Sequence, residues 1–258
     1  MLALLIVACG LFGLAIGSFL NVVIYRVPLH ESIIKPRSTC PLCHTPILER
    51  DNVPVLSWIL LRGKCRICRN PISARYPLVE LSCAGLFAGV AAREGFNWDL
   101  AALLIFVAGL LALSSIDLEL LILPKSIVYT TLGLLIAAFG LDAVLTNEWH
   151  RFAIAGLCAV CWFVLFFTLN FMEPRYLGFG DVRFSLVIGL GLGWLGIRYV
   201  LLGFFAANFI GAIIGLILIA MKKLSRDQPI PYGVFLSLGA LLAIYAGPEI
   251  LVPFQRFS

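Results

Sequence analysis

The sequence predicts an all-α, polytopic membrane protein of about eight transmembrane helices with one small cysteine-knuckle domain. Three observations carry this expectation. Of the 258 residues, 61% are hydrophobic and only 13% charged, with a mean hydropathy of +1.02. A soluble chain carries about a quarter charged residues, so most of this one must face lipid. The apolar residues gather into runs of bilayer-spanning length, and the one long polar stretch holds two Cys-x-x-Cys pairs.

The runs fall at 2–24, 77–92, 98–116, 126–146, 151–171, 182–197, 199–221 and 233–252, the second and sixth being short. Hydrocarbon offers no partner for backbone polar groups, so each run closes its hydrogen bonds as a helix. The first lacks the basic n-region and small-residue cleavage site of a secretory signal and reads as a retained transmembrane helix. The expected organisation is a first helix over 1–25, a four-cysteine domain over 26–76 and a seven-helix membrane domain over 77–258.

Orientation follows from the basic residues. Segments 25–76, 117–125, 172–183 and 222–232 hold fifteen of the 19 Lys and Arg, leaving Arg93, Arg151, Arg198 and Arg256 for the other face. The basic face is cytoplasmic, and both termini lie outside. The net charge of +5 is then a product of topology and a bilayer partner, and no nucleic-acid reader motif accompanies it.

Within 26–76, Pro28, Pro36, Pro41, Pro46, Pro54 and Pro71 interrupt regular structure. Cys40, Cys43, Cys65 and Cys68 form two pairs with 21 residues between them. Such knuckles surround one tetrahedral ion with four thiolates; zinc is the usual occupant, and iron fits the same cage. Two disulfides are the alternative, disfavoured in a reducing cytoplasm. A domain of roughly fifty residues buries too little apolar surface to fold without a staple, and four cysteines leave no open position for catalysis. His44 reads as a solvated loop residue, Cys158 and Cys161 as packing residues, Cys9 and Cys83 as buried thiols.

Ionisable groups within or beside spans mark function. The acids so placed are Glu80, Asp117, Glu119, Asp181 and Asp227. Asp117 ends the third span ahead of Leu123-Pro124, and Asp181 follows Gly178-Phe179-Gly180 at the start of the sixth. Both map to the cytoplasmic end. Two carboxylates sharing one proton suit an aspartic peptidase, one activating water and the other protonating the carbonyl oxygen. The glycines are expected to supply a permissive turn and a close approach for substrate backbone. On these residues alone, an intramembrane polar pair or ion-pathway group stays open. His30, His44 and His150 fall on loops, which disfavours a histidine-based triad, and no P-loop is present. Gly189, Gly191 and Gly193 read as a packing face, and Asn21, Asn170 and Asn208 as inter-helix glue.

Five ordered motifs carry a resemblance. They are Gly17-Ser18-Phe19-Leu20-Asn21 with Tyr25-Arg26; the cysteine pairs with Asp51-Asn52-Val53-Pro54, Leu61-Arg62-Gly63 and Arg75-Tyr76-Pro77-Leu78-Val79-Glu80; Ile116-Asp117 with Leu123-Pro124; Gly178-Phe179-Gly180-Asp181; and Ile230-Pro231-Tyr232-Gly233. Over residues 13–240 the chain resembles the type IV prepilin peptidases of bacterial inner membranes, whose signature is GxGD. The resemblance implies Asp117 and Asp181 as the catalytic pair and Cys40, Cys43, Cys65 and Cys68 as ligands of one structural zinc ion. It implies prepilin or pseudopilin substrates, their short basic leader cut after glycine ahead of a hydrophobic helix. It also implies N-methylation of the new terminus from S-adenosylmethionine, with no cofactor loop legible here. Gly178, Gly180, Glu80 and Glu119 are candidates for supporting the site or binding the leader, Glu80 also for supporting methylation, and Glu80 reads equally as a cap on the second span. Lys125 stands where the family commonly has an acid and Val234 where proline is frequent, neither expected to touch the aspartates. A methyltransferase with structural aspartates, and a scaffold or transporter built on inverted repeats, are the competing readings; no internal repeat is evident.

Overall fold

A computed structural model describes residues 1–35, 38–40, 42–173, 177–222 and 230–251. Pro36, Pro41, Asp227 and Arg256, together with Arg37, Arg175, Lys223, Arg226 and position 252, lie outside the described residues. Among the described residues there are nine α-helices, and the only β pairing is two isolated bridges. They are α1 (Leu2–Arg26), α2 (Leu56–Leu60), α3 (Arg75–Glu94), α4 (Leu100–Leu120), α5 (Lys125–Thr146), α6 (Trp149–Met172), α7 (Phe179–Leu195), α8 (Ile197–Ala220) and α9 (Tyr232–Leu251).

Each predicted run is one long helix, with ends shifted by a few residues. Six of them, α1, α4, α5, α6, α8 and α9, are long and apolar enough to cross a membrane. The two short runs are the two that fall outside that group. α3 carries Arg75, Glu80, Arg93 and Glu94, and α7 has only 17 residues, less than the span of a bilayer core. The chain divides into two compact units, Met1–Phe96 and Asn97–Ser258.

In the first unit α1 lies along α3. A Cβ on Gly17 would stand 2.7 Å from the Cα of Glu80, so only glycine allows this approach. Asn21 donates to the Tyr76 carbonyl at 3.0 Å, the inter-helix bond expected of it. Between the two helices the chain forms the cysteine knuckles and the short α2. Arg66 grips Asp51 through two hydrogen bonds of 2.7 and 2.5 Å, tying the turn at Glu49–Asp51 to the second knuckle. Trp58 donates its indole N–H to Ile72 at 3.1 Å and lies 3.0 Å from where a Gly63 side chain would begin.

In the second unit α7 is the hub, buried from Asp181 to Trp194 on almost every side. Its glycines explain this. A Cβ on Gly189 would meet the Ala159 Cα at 2.7 Å, and one on Gly193 would meet the Cys158 Cβ at 2.8 Å. Gly189 and Gly193 therefore pack against α6, where Cys158 lies, and Gly191 packs against Phe106 of α4, so the run serves packing as the sequence suggests.

The end of this unit opposite Asp181 carries a polar knot. Trp194 stacks on Phe139 at 4.5 Å and gives its indole N–H to Asp99 at 3.3 Å. Arg151 lies over the Trp194 ring at 4.6 Å and 3.7 Å from Asp99, with the buried Asp142 within electrostatic reach. Arg151→Gln leaves Asp99 and Asp142 without their cation and lowers stability by about 1–3 kcal/mol, tempered by the partial exposure of Arg151. Thermal unfolding in detergent reads this as a lower midpoint, partly recovered when Asp99→Asn is added; an unchanged midpoint contradicts it.

Candidate active site

Four helix ends meet at Asp117 and Asp181. α4 closes with Leu121 in the left-handed conformation (φ 55°), its N–H returning to the Asp117 carbonyl at 2.9 Å. The chain then turns through Leu123 to Pro124, which stands as the N-cap of α5. Asp117 lies in the last turn of α4, 5% exposed. Its Oδ2 accepts the Val234 N–H at 3.2 Å, and the Gly233 amide faces the same carboxylate. The N-terminal amides of α9 thus hold Asp117 across 117 positions of sequence, the Val234 N–H being shared with the Pro231 carbonyl at 3.3 Å.

Asp181 is the third residue of α7 and 9% exposed. Its carboxylate turns back on the amide of the N-cap Gly178, the reach that a capping box uses. Its Oδ1 is buried without a hydrogen-bond partner among the described residues. The two carboxylates are close enough for their charges to interact, and the Tyr232 phenol lies within the same range of Asp181.

The glycines act by size rather than by backbone freedom. Gly178 has φ −69°, open to any residue, and Gly180 is not among the positive-φ glycines. A side chain on Gly178 would begin 3.3 Å from Asp181 Oδ2, and one on Gly180 would begin 3.0 Å from the Leu123 Cβ. On Gly233 it would begin 2.9 Å from Asp117 Oδ2. Leu123 is the common wedge, touching the positions of both Gly180 and Gly233. The expectation of a permissive turn is corrected to one of room.

Val234 needs a second correction. It was expected not to touch the aspartates, yet its N–H is a hydrogen-bond donor to Asp117. A proline there would have no N–H to give. Glu119, two residues past Asp117, is exposed at the same helix end. Asn208 gives its amide to Phe204 and accepts the Tyr232 hydroxyl at 3.2 Å, joining α8 to α9. The sequence reading passed over Asp99 and Asp142. The signal was there for both, acids inside the predicted runs 98–116 and 126–146.

The first unit holds the metal-ligand candidates. The four sulfurs of Cys40, Cys43, Cys65 and Cys68 lie within 4.8 Å of one another, all as free thiols. Zinc–thiolate bonds of about 2.3 Å put the corners of a tetrahedron about 3.8 Å apart. Cys40 and Cys68 stand 3.8 Å apart, so the cage fits one such ion. Its two halves repeat one design. The Cys40 N–H bonds to Thr45 O and the His44 N–H returns to Cys40 O; the Cys65 N–H bonds to Asn70 O and the Arg69 N–H returns to Cys65 O. His44 (φ 55°) and Arg69 (φ 61°) fill the matching left-handed positions, and His44 is exposed, as a loop histidine should be. Hydrogen bonds from Thr45 hold the Cys43 thiol down at about 6, and the amides of Cys68 and Ile67 lower Cys65. Both are drawn toward the thiolate that a metal requires. Glu80, in this same unit, is buried on α3 and accepts the Val55 N–H at 2.7 Å.

The profile described as "Bacterial Peptidase A24 N-terminal domain" matches residues 11–93, and that of the "Type IV leader peptidase family" matches residues 104–216. The chain is 34% identical to the prepilin leader peptidase/N-methyltransferase of Stutzerimonas stutzeri, over 98% of this chain and 94% of that protein. The chain belongs to the type IV leader peptidase family. Relatives of the same name in Aeromonas hydrophila and Bacillus subtilis (strain 168) are 35% and 32% identical, each over 93% of this chain and over 90% and 94% of their own lengths. No solved structure matches at a significant level. Asp117 and Asp181 both fall in the segment matched to the leader peptidases, and the cysteine cage in the segment matched to the N-terminal domain. Six apolar helices and this family make the chain a multi-pass inner-membrane protein.

Proposed function

We propose that this chain is a membrane-embedded aspartic endopeptidase. It removes the leader of type IV prepilins or pseudopilins at the cytoplasmic membrane face and then N-methylates the new terminus from S-adenosylmethionine. The observation that carries the reading is the meeting of two buried aspartates, from helices 64 positions apart in sequence, at the ends of α4 and α7. One carboxylate of the pair activates water while the other, protonated, donates to the carbonyl oxygen of the scissile bond. The amides of α9 keep Asp117 in one orientation, Gly178 and Gly233 leave room beside the Asp181 and Asp117 carboxylates, and Gly180 leaves room for Leu123. The Oδ1 of Asp181, without a partner among the described residues, is a polar atom that substrate or water would satisfy. The four cysteines hold one structural zinc ion, which stabilises the knuckles and has no part in cleavage.

A substrate whose helix stays in the bilayer brings a bond at its cytoplasmic end to this depth. The leader's cations then pass the end of α4, where Glu119 is exposed. An exposed ion pair is worth about 0–1 kcal/mol, so Glu119→Gln costs a basic leader no more than about fivefold in kcat/KM and a neutral leader nothing. Equal rates for the two leaders in wild type and variant contradict that role. The reading as a whole is tested by incubating the purified protein with a prepilin and S-adenosylmethionine. The product mass should fall by the leader and rise by one methyl group; an uncut substrate contradicts it.

A further inference from the structure

The first unit contains a buried polar cluster to which peptide cleavage gives no task. Glu80 on α3 is 7% exposed and Asn21 on α1 is 3% exposed. One Glu80 oxygen accepts the Val55 N–H at 2.7 Å, and the Ser18 hydroxyl reaches the same carboxylate. Asn21 spends its amide N–H on Tyr76, one helical turn before Glu80, and its Oδ1 is buried with no hydrogen-bond partner among the described residues. A carboxylate and an orphan amide oxygen thus lie one turn apart along the same helix seam.

The backbone beside them is strained. Val55 has φ 59° and ψ −50°, and the Leu56 N–H closes back on the Pro54 carbonyl, a tight γ-turn rarely adopted by a β-branched residue. Glu80 holds the N–H at the centre of that turn. Strain of this kind persists where surrounding contacts over-determine it, and such places cluster at functional sites.

The face of α1 that carries Ser18 also borders a cavity further along the helix. Ser18, Val22 and Arg26 recur at four-residue intervals and so share one face of α1. Val22 and Arg26 line a cavity of about 280 Å³ together with Ser38, Glu49 and Asn52. Ser18, at the inner end of that stripe, bonds Glu80.

Two buried acceptors on one helix seam suit a ligand rich in donors and positively charged, and an ammonium group meets both conditions. We propose that Glu80 and Asn21 bind the α-amino group of the cut substrate and that Glu80 is the base for its N-methylation. This assignment rests on the methyltransferase half of the proposed function. The ammonium passes one proton to the Glu80 carboxylate. The freed lone pair attacks the methyl carbon of the sulfonium donor, and the carbon–sulfur bond breaks with its electrons left on sulfur. A secondary ammonium, S-adenosylhomocysteine and a protonated Glu80 result. The amino-acid end of S-adenosylmethionine carries an ammonium too, so the test separates the two sources.

Glu80→Gln keeps the side chain's size and an acceptor for Val55 and Ser18 but removes the charge. The purified full-length variant is given a prepilin and methyl-labelled S-adenosylmethionine, with cleavage, label uptake and thermal unfolding recorded together. Cleavage should stay within about twofold of wild type while label uptake falls by about 10²-fold through kcat, with Glu80→Asp recovering part of it. Wild-type label uptake in Glu80→Gln, or equal loss of cleavage and methylation, overturns the assignment. A rise only in the KM for S-adenosylmethionine, with kcat kept, also overturns it and gives the acceptors to the donor's ammonium instead. A wild-type protein that cuts but takes up no label contradicts the methyltransferase reading itself, and this assignment with it.

Discussion

Replacing Cys65 with serine empties the cysteine cage and unfolds the segment between the two knuckles. Among the described residues between α1 and α3, the regular structure is the five-residue α2, one 3₁₀ turn and two isolated bridges, and many apolar side chains there are exposed, Leu42, Ile47, Leu48, Ile59 and Ile67 among them. Little apolar burial is present to offset the conformational entropy of ordering the chain. Four-thiolate zinc supplies on the order of 10 kcal/mol to a domain of this kind, so one lost ligand outweighs any other single change within it. The purified protein should carry one zinc per chain. Cys65→Ser should carry none and be cut by added protease between residues 38 and 72, while wild type resists until a strong chelator is added. A metal-free protein that resists protease equally well contradicts the staple.

Asparagine at Asp117 or at Asp181 removes peptide cleavage and leaves the fold standing. The amide is the size of the carboxyl group, and its oxygen still accepts the Val234 N–H at position 117 or turns to Gly178 at position 181. What it cannot do is lose or share a proton. Either the water-activating group or the proton donor then disappears, and groups that act as a unit fail together. Each substitution should lower the cleavage rate by at least about 10³-fold. Methylation of a synthetic, already cut N-terminus should be untouched, because its acceptors belong to the first unit.

The helices were legible because their signal is local. Composition alone marks runs such as 199–221 as long and apolar, and α8 follows within a residue or two. The weak cases were weak for a physical reason. α7 is shorter than a bilayer core because it is buried in protein, where its glycines count for more than its length. The aspartate pair and the cysteine set were legible as residue types at motif spacing. Their surroundings were not, since they depend on contacts between distant segments. Nothing local in the sequence shows that the Val234 amide reaches Asp117, or that Leu123 wedges between Gly180 and Gly233. The polar knot of Asp99, Asp142, Arg151 and Trp194 joins four helix ends; its acids were visible inside apolar runs, but their partners were not, for the same reason.

The most direct measurement is cleavage of one purified prepilin in detergent by wild type, Asp117→Asn and Asp181→Asn, with thermal unfolding of each recorded alongside. The account predicts three similar unfolding midpoints and cleavage by wild type alone. A folded Asp117→Asn or Asp181→Asn protein that cuts at the wild-type rate contradicts it.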